Sequence, residues 1–160
     1  MTIVGKSKTD EDIFILAEID PNFVFLKTQI NESSFLIDTL KKGLEEIKKI
    51  LEYKFPKSRI IRIPIAIDGN YYYSYNNMQI ENLQFGETIN AYMPSYGYSK
   101  YIEPQIMAPK NFQQFKNFVK NKLESAGINT NFINYNFSEI SAYETASLHC
   151  ISKVISRSED

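Results

Sequence analysis

Two short apolar runs open the hydrophobic pattern of the chain. Residues 13–17 are continuously apolar, residues 23–26 form a second such run, and the Asp20-Pro21-Asn22 triplet lies between them. Apolar runs of this length, bounded by turn-forming residues, are typical of buried strands. The pattern therefore predicts a buried hairpin in this part of the chain.

A helical period follows these runs, with apolar residues at three- and four-residue steps and lysine and glutamate residues between them. The apolar positions are Ile37, Leu40, Leu44, Ile47 and Leu51. This spacing predicts an amphipathic helix that Ser33 or Ser34 caps and that ends near Tyr53, before Pro56. The charged residues are interpreted as its solvated face.

The same order of elements is predicted a second time. Residues 59–65 form a strand that completes a strand-strand-helix-strand unit over residues 12–66. In the second unit, over residues 70–135, strands are expected at 71–81, 86–93 and 128–135, and the apolar face of the helix is expected to contain Phe112, Phe115, Val119 and Leu123. Pro109 begins that helix, and Gly127 ends it.

The remaining segments are a loop over residues 94–109, a polar, turn-like stretch over 136–144 and a closing strand over about 146–156. The sequence therefore predicts one α/β domain over residues 1–160, built from two β-β-α-β modules and an unpaired strand. An unpaired closing strand indicates that the chain was cut from, or completes, something larger.

Composition and charge exclude several classes of protein. The 160 residues are 43% hydrophobic, with 11 Tyr and 11 Phe, and the formal net charge is −1. Such a chain can bury a real core, and its scattered basic residues form no footprint for nucleic acid or an anionic membrane. It has no signal-peptide core and no membrane-spanning apolar run, so a cytoplasmic location is expected.

Cys150 and His149 are the only cysteine and the only histidine of the chain. A single cysteine excludes an intrachain disulfide and a cysteine-rich zinc site, and no cofactor or metal is expected. Thiol and imidazole suit nucleophilic and acid-base chemistry, but neighbours on a strand point to opposite faces, so His149 is a poor base for Cys150. A lone cysteine in an apolar strand is more often a small buried hydrophobe.

Several ordered segments resemble a known family. They are Tyr73-Ser74-Tyr75-Asn76-Asn77, then Asn82, then Asn90-Ala91-Tyr92-Met93-Pro94-Ser95-Tyr96-Gly97, and finally Ser147-Leu148-His149-Cys150-Ile151-Ser152-Lys153. In this order they resemble the motifs of the agmatine deiminase and bacterial peptidylarginine deiminase group of the guanidine-modifying superfamily. The resemblance runs from about residue 8 onward.

The resemblance implies an α/β propeller of five β-β-α-β modules around a central active site, of which this chain is about the C-terminal half. The implied substrate is a guanidinium-containing small molecule, such as agmatine or free arginine, or a peptidyl arginine. A homo-oligomer or further N-terminal modules would complete the site.

The resemblance also implies residue roles. Cys150 matches the nucleophile that attacks the guanidinium carbon and forms a thiouronium intermediate, Asp10 matches the carboxylate that holds the guanidinium group, and Asn77 lines the pocket. Lys8 stands where the family has its histidine, and a lysine is a poor proton shuttle near neutral pH.

Two hypotheses follow. The first is a deiminase-type hydrolase that needs modules outside this chain, and the second is a non-catalytic remnant that uses the modules for binding or assembly.

Two other patterns in the sequence have ordinary structural explanations. The tyrosines over residues 71–75 are more often strand packing than a stacking platform, and the acidic triplet over residues 10–12 is more often a solvated turn than a calcium site.

Overall fold

The computed structural model describes residues 2–6, 12–26, 31–82 and 88–144. Over these residues the fold is mixed α/β, with two sheets and three helices, and neither sheet closes into a barrel. The strands are β1 (Thr2–Lys6), β2 (Asp12–Glu18), β3 (Val24–Phe25), β4 (Arg59–Asp68), β5 (Tyr71–Ser74), β6 (Gln79–Asn82), β7 (Ile89–Ser95) and β8 (Ile128–Asn136). The helices are α1 (Asn31–Lys54), α2 (Pro109–Ser125) and α3 (Ser138–Glu144). The predicted α/β class is confirmed.

The first sheet contains β1 to β5 and is built around β4. Strand β2 runs parallel to β4, with Ile13 opposite Arg59, and β3 also runs parallel to β4. The predicted hairpin between the two apolar runs is therefore wrong. The Asp20 carboxylate accepts a hydrogen bond from the Asn22 backbone N–H at 2.9 Å and caps a single 3-10 turn, after which the chain continues in the same direction.

The antiparallel partner of β2 is β1, in a segment where the sequence pattern predicts no strand. Strand β4 is connected to β5 by a tight turn that contains Gly69, whose φ of 61° lies in the left-handed region. The β4–β5 pair is a true hairpin, with Asp68 opposite Tyr71. The first unit is thus an antiparallel pair followed by a parallel crossover through α1.

The second sheet repeats that order with β6, β7 and β8. Strands β6 and β7 are antiparallel, and β7 is parallel to β8 across α2. The single strand predicted over residues 71–81 is wrong, because a turn divides it into β5 and β6, which belong to different sheets. In that turn the Asn77 backbone N–H donates to the Ser74 carbonyl at 3.3 Å.

Residues 138–144, predicted to be turn-like, form α3 instead. The Asn136 side-chain oxygen accepts a hydrogen bond from the Ser138 backbone N–H at 3.0 Å, which satisfies a donor at the helix start. Phe137 is buried and Ile140 packs against the core, so tertiary contacts favour the helix. The predicted closing strand over 146–156 lies outside the described residues.

Helix α2 lies between the two sheets and joins them. Its buried face contains Phe112, Phe115, Val119 and Leu123, the four positions that the sequence predicted. The Phe115 ring centroid is 5.2 Å from that of Phe23 in the first unit and 4.8 Å from that of Tyr75. Lys122 Nζ also lies 2.6 Å from Glu18 Oε1, so α2 is bound to the first unit by polar as well as apolar contacts.

Helix α1 packs on the opposite face of the first sheet and is covered less completely. Leu51 is buried, and the ring of Phe55, just past the helix, lies 5.0 Å from that of Phe14. Of the other predicted core positions, Ile37 and Leu44 are half-buried, whereas Leu40 and Ile47 are exposed. One part of the predicted apolar face therefore remains at the surface.

Within the described ranges, none of the helices has the length and apolar character needed to cross a bilayer.

Candidate functional site

The four predicted site residues differ in what the structure says of them. Asn77 lies in the turn between β5 and β6 and is half-buried. Cys150, Asp10 and Lys8 lie outside the described residues, as does His149. The site is therefore built here from Asn77 and the motif segments that surround it.

Two of the motif segments meet in space. The Tyr96 ring packs against Tyr73 and Tyr75, with ring centroids 5.3 and 5.2 Å apart. The Tyr96 hydroxyl donates a hydrogen bond to the Ser74 carbonyl at 3.0 Å. We call this cluster, residues 73–77 with Tyr96 and Gly97, the motif corner. It fixes the end of β7 against the turn that carries Asn77.

Three separate hydrogen bonds, each involving a serine hydroxyl group, attach helix α3 to the motif corner and to the residues beside it. The Gly97 backbone N–H donates to Ser138 Oγ at 2.9 Å, and Ser99 Oγ donates to Glu139 Oε1 at 2.6 Å. Ser141 Oγ donates to the Tyr72 carbonyl at 3.0 Å. The last described helix therefore begins beside the motif corner, and Cys150 follows its last residue, Glu144, by six residues in the sequence.

No family model, curated protein or solved structure matches this chain.

Sequence reasoning missed three groups that attach α3 beside the motif corner: Ser99, Ser138 and Glu139. Ser99 and Ser138 are buried, and the bond between Ser99 and Glu139 joins positions 40 residues apart. A local signal existed only for Ser138, because Asn136 two residues earlier is a typical helix-capping residue. Nothing local predicts the partner of Glu139.

Burial keeps the tyrosines of the motif corner in their neutral form. Desolvation raises the pKa of Tyr73, whose hydroxyl accepts a hydrogen bond from Gln105 Nε2 at 3.1 Å, and it also raises the pKa of Tyr75. Tyr73, Tyr75 and Tyr96 are buried in the core, so their rings pack the motif corner. Asn77, which is half-buried, is the candidate pocket residue of the corner, while the candidate nucleophile belongs to the segment beyond α3.

Other candidate sites are less suited to chemistry. Across the described ranges, no group of three or more His, Cys, Asp or Glu residues is placed to hold a metal ion. A cavity of about 350 Å³ lies between α1 and the segment after β2, and it is lined by Ile19, Pro21, Val24, Leu26, Ile37 and Lys41. Its lining is mainly apolar, its charged residue is a cation, and it includes no residue of the motif corner.

Tyr73 and Tyr75, two of the three buried tyrosines of the motif corner, provide a matched test of its packing. Tyr73→Phe is expected to lower the free energy of unfolding by about 1 kcal/mol, because the Gln105 amide loses its acceptor. Tyr75→Phe is expected to cost less, because the Tyr75 hydroxyl is buried with no side-chain partner among the described residues and only the Tyr96 backbone beside it. Urea unfolding of both variants measures the difference, and equal losses would contradict this account of the corner.

Proposed function

We propose that this chain is part of a deiminase-type hydrolase that converts an arginine-like guanidinium group to a ureido group and ammonia. The supporting observation is the motif corner. Two segments that resemble family motifs, around Tyr73 and around Tyr96, pack ring against ring, and α3 begins beside them. The third segment, which carries Cys150, follows α3 in the sequence.

The arrangement of the two units supports the finer proposal of an α/β propeller. Each unit has an antiparallel pair followed by a parallel crossover through a helix. Strands β1 and β6, which open the two units, approach each other with Cα atoms within 8 Å. Neighbouring first strands are what modules arranged around a common centre require. In the proposal, further modules complete the ring, and the protein acts in the cytoplasm.

The proposed chemistry has two half-reactions. The Cys150 thiolate attacks the guanidinium carbon, one amino group takes up a proton from solvent, and its C–N bond breaks as ammonia leaves. Water then attacks the thiouronium carbon, the C–S bond breaks, and the ureido product, the thiolate and two protons are released, one of which the ammonia takes up. Asp10 pairs with the guanidinium nitrogens, and Asn77 forms part of the pocket wall. Lys8 places positive charge near the thiol, which favours the thiolate but supplies no efficient proton shuttle.

The alternative is a non-catalytic protein that uses the same units for binding or assembly. Lys8 favours it, because the family resemblance places a histidine there. The exposed apolar residues of α1 also favour it, because they provide a surface for assembly.

Covalent labelling distinguishes these alternatives. We expect a haloacetamidine, which mimics a guanidinium group and is electrophilic, to label Cys150 faster than iodoacetamide does. Agmatine or an arginine peptide should slow the reaction by competition, and Asn77→Ala should weaken that competition. Mass spectrometry of the intact chain and of its peptides measures the labelling, with Cys150→Ala as the control.

Equal and slow labelling by both reagents, unchanged by agmatine, would show that Cys150 is an ordinary thiol in this chain. In that case the binding or assembly alternative holds. If the preference for the amidine is observed, Lys8→His should increase the release of ureido product, because an imidazole can both protonate ammonia and activate water.

A further inference from the structure

One side of α1 carries a row of residues at alternating four- and three-residue steps. The row consists of Leu36, Leu40, Gly43, Ile47 and Ile50, which we call the α1 stripe. This spacing aligns residues along one side of a helix, as in helix pairs that pack lengthwise. All four aliphatic residues of the stripe are exposed. At about 1.5 Å per residue, the stripe is about 21 Å long.

The corresponding helix of the second unit, α2, shows which elements normally pack against the sides of such a helix. One side of α2 faces its own sheet, where Lys116 Nζ lies 4.3 Å from the centre of the Phe132 ring. The other side is covered by the first unit, where Phe118 packs on Phe23 with ring centroids 5.3 Å apart. In the described part of the chain, the α1 stripe has no comparable cover.

The stripe is self-complementary. If a second α1 lies antiparallel across it with Gly43 opposite Gly43, then Leu36 faces Ile50 and Leu40 faces Ile47, once in each direction. Around Gly43 there is open space, since a Cβ added there would have no atom within 4 Å outside its own helical turn. A glycine at the crossing point allows two helix backbones to approach closely, which favours a helix over a sheet as the covering element.

The exposed area is large enough for such a pair. Phe35 and Tyr53 border the stripe and are 75% and 87% exposed. Together with the four aliphatic residues they expose about 700 Å² per copy, so complete burial of these side chains in a pair would remove about 1,400 Å², which lies within the range of specific interfaces. Antiparallel pairing also places Phe35 of one copy near Tyr53 of the other.

We infer that a second copy of this chain covers the α1 stripe, in an antiparallel helix pair whose two-fold axis passes near Gly43. This inference does not depend on the hydrolase proposal. It identifies α1 as the dimer interface of the protein.

The inference is tested first by the association state. Sedimentation velocity of the full chain over a concentration series should show a monomer-dimer equilibrium. Leu40→Glu and Ile47→Lys should each weaken dimerisation by at least about tenfold, because each buries a charge against an aliphatic side chain. The double variant should recover part of the loss, since the pairing places residue 40 of one copy opposite residue 47 of the other. Circular dichroism checks that all variants remain folded.

Cross-linking tests the position of the axis. In a Cys150→Ala background, Gly43→Cys should form a disulfide-linked dimer under mild oxidation, whereas the exposed Lys41→Cys should not, because it lies about half a turn around the helix from Gly43, on the side away from the stripe. Equal cross-linking at both positions would overturn the proposed geometry.

Two further outcomes overturn the inference. If the wild-type chain is monomeric at every concentration, the stripe is covered by something else, such as a further unit of the same topology. If a dimer forms but neither Leu40→Glu nor Ile47→Lys weakens it, the interface lies elsewhere on the chain.

Discussion

Phe115→Ala should lower the free energy of unfolding by about 3–5 kcal/mol, the range measured for buried aromatic residues. Phe115 is fully buried in α2 and contacts an aromatic ring on each side, Phe23 from the first unit and Tyr75 from the motif corner. Its removal leaves a cavity between the two sheets that neither sheet can fill without moving relative to the other. The loss therefore measures how firmly α2 joins the units.

A matched control lies one turn away on the same helix. Phe118 also packs on Phe23 but is 39% exposed, so Phe118→Ala should cost only about 1 kcal/mol. Urea unfolding followed by circular dichroism and by tyrosine fluorescence measures both variants. Similar losses for the two variants would contradict the position of α2 between the sheets. Separate transitions from the two probes in Phe115→Ala would show that the units unfold independently once this contact is lost.

The two long helices, α1 and α2, were the most predictable part of the fold because their signal is local, whereas the short α3 was missed. The spacing of Phe112, Phe115, Val119 and Leu123 predicted both α2 and its buried face, and Pro109 and Gly127 marked its ends. The same spacing predicted α1 but not its exposure. Periodicity shows that residues share one side of a helix, whereas their burial depends on what lies against that side.

Strand pairing was less predictable because it depends on distant residues. The apolar run at residues 13–17 is buried as expected, but its partners are β1 and β4, and the next run continues parallel to β4. Asp20-Pro21-Asn22 was a correct turn signal, yet a capped 3-10 turn need not reverse the chain. Likewise, no local signal shows that β5 and β6 belong to different sheets.

The candidate site was likewise only partly predictable from the sequence. The family resemblance selected Tyr73, Asn77 and Tyr96 from sequence, and these residues do lie in one region of the fold. Packing was the favoured interpretation of the tyrosines over residues 71–75, and it is confirmed for Tyr73 and Tyr75. The sequence did not reveal their hydroxyl contacts, or that Glu139 pairs with Ser99. Such side-chain contacts between distant segments depend on the folded geometry. The roles of Cys150, Asp10 and Lys8 remain predictions.

Asp68 connects the end of β4 to the segment before α2, and two substitutions of it should have very different effects. The side chain is fully buried, and its Oδ1 accepts hydrogen bonds from the backbone N–H groups of Ile106 and Met107 at 2.6 and 3.0 Å. Asp68→Ala removes both bonds and leaves buried donors unpaired, so we expect a loss of about 2–4 kcal/mol in the free energy of unfolding. Asp68→Asn keeps an acceptor oxygen at that position and should cost far less.

The difference in the free energy of unfolding between Asp68→Asn and the wild type should also depend on pH. Burial raises the pKa of Asp68 above its usual value, although the two backbone hydrogen bonds oppose this effect. The folded state then holds the Asp68 proton more tightly than the unfolded state does. The stabilisation from this proton is fully present at a pH below the pKa of Asp68 in the unfolded chain, which is about 4. It is lost as the pH rises through the pKa of Asp68 in the folded protein.

Asp68→Asn does not titrate, so its stability relative to the wild type should increase as the pH rises from below about 4 toward neutrality. Urea unfolding of both proteins across this range measures the difference, and the other carboxyl groups, present in both, cancel in the comparison. A difference that stays constant or falls with rising pH would mean that the N–H groups of Ile106 and Met107 stabilise the charged carboxylate more than burial destabilises it. In that case Asp68 would act as an ionised link between β4 and the start of α2, and its pKa would not be raised.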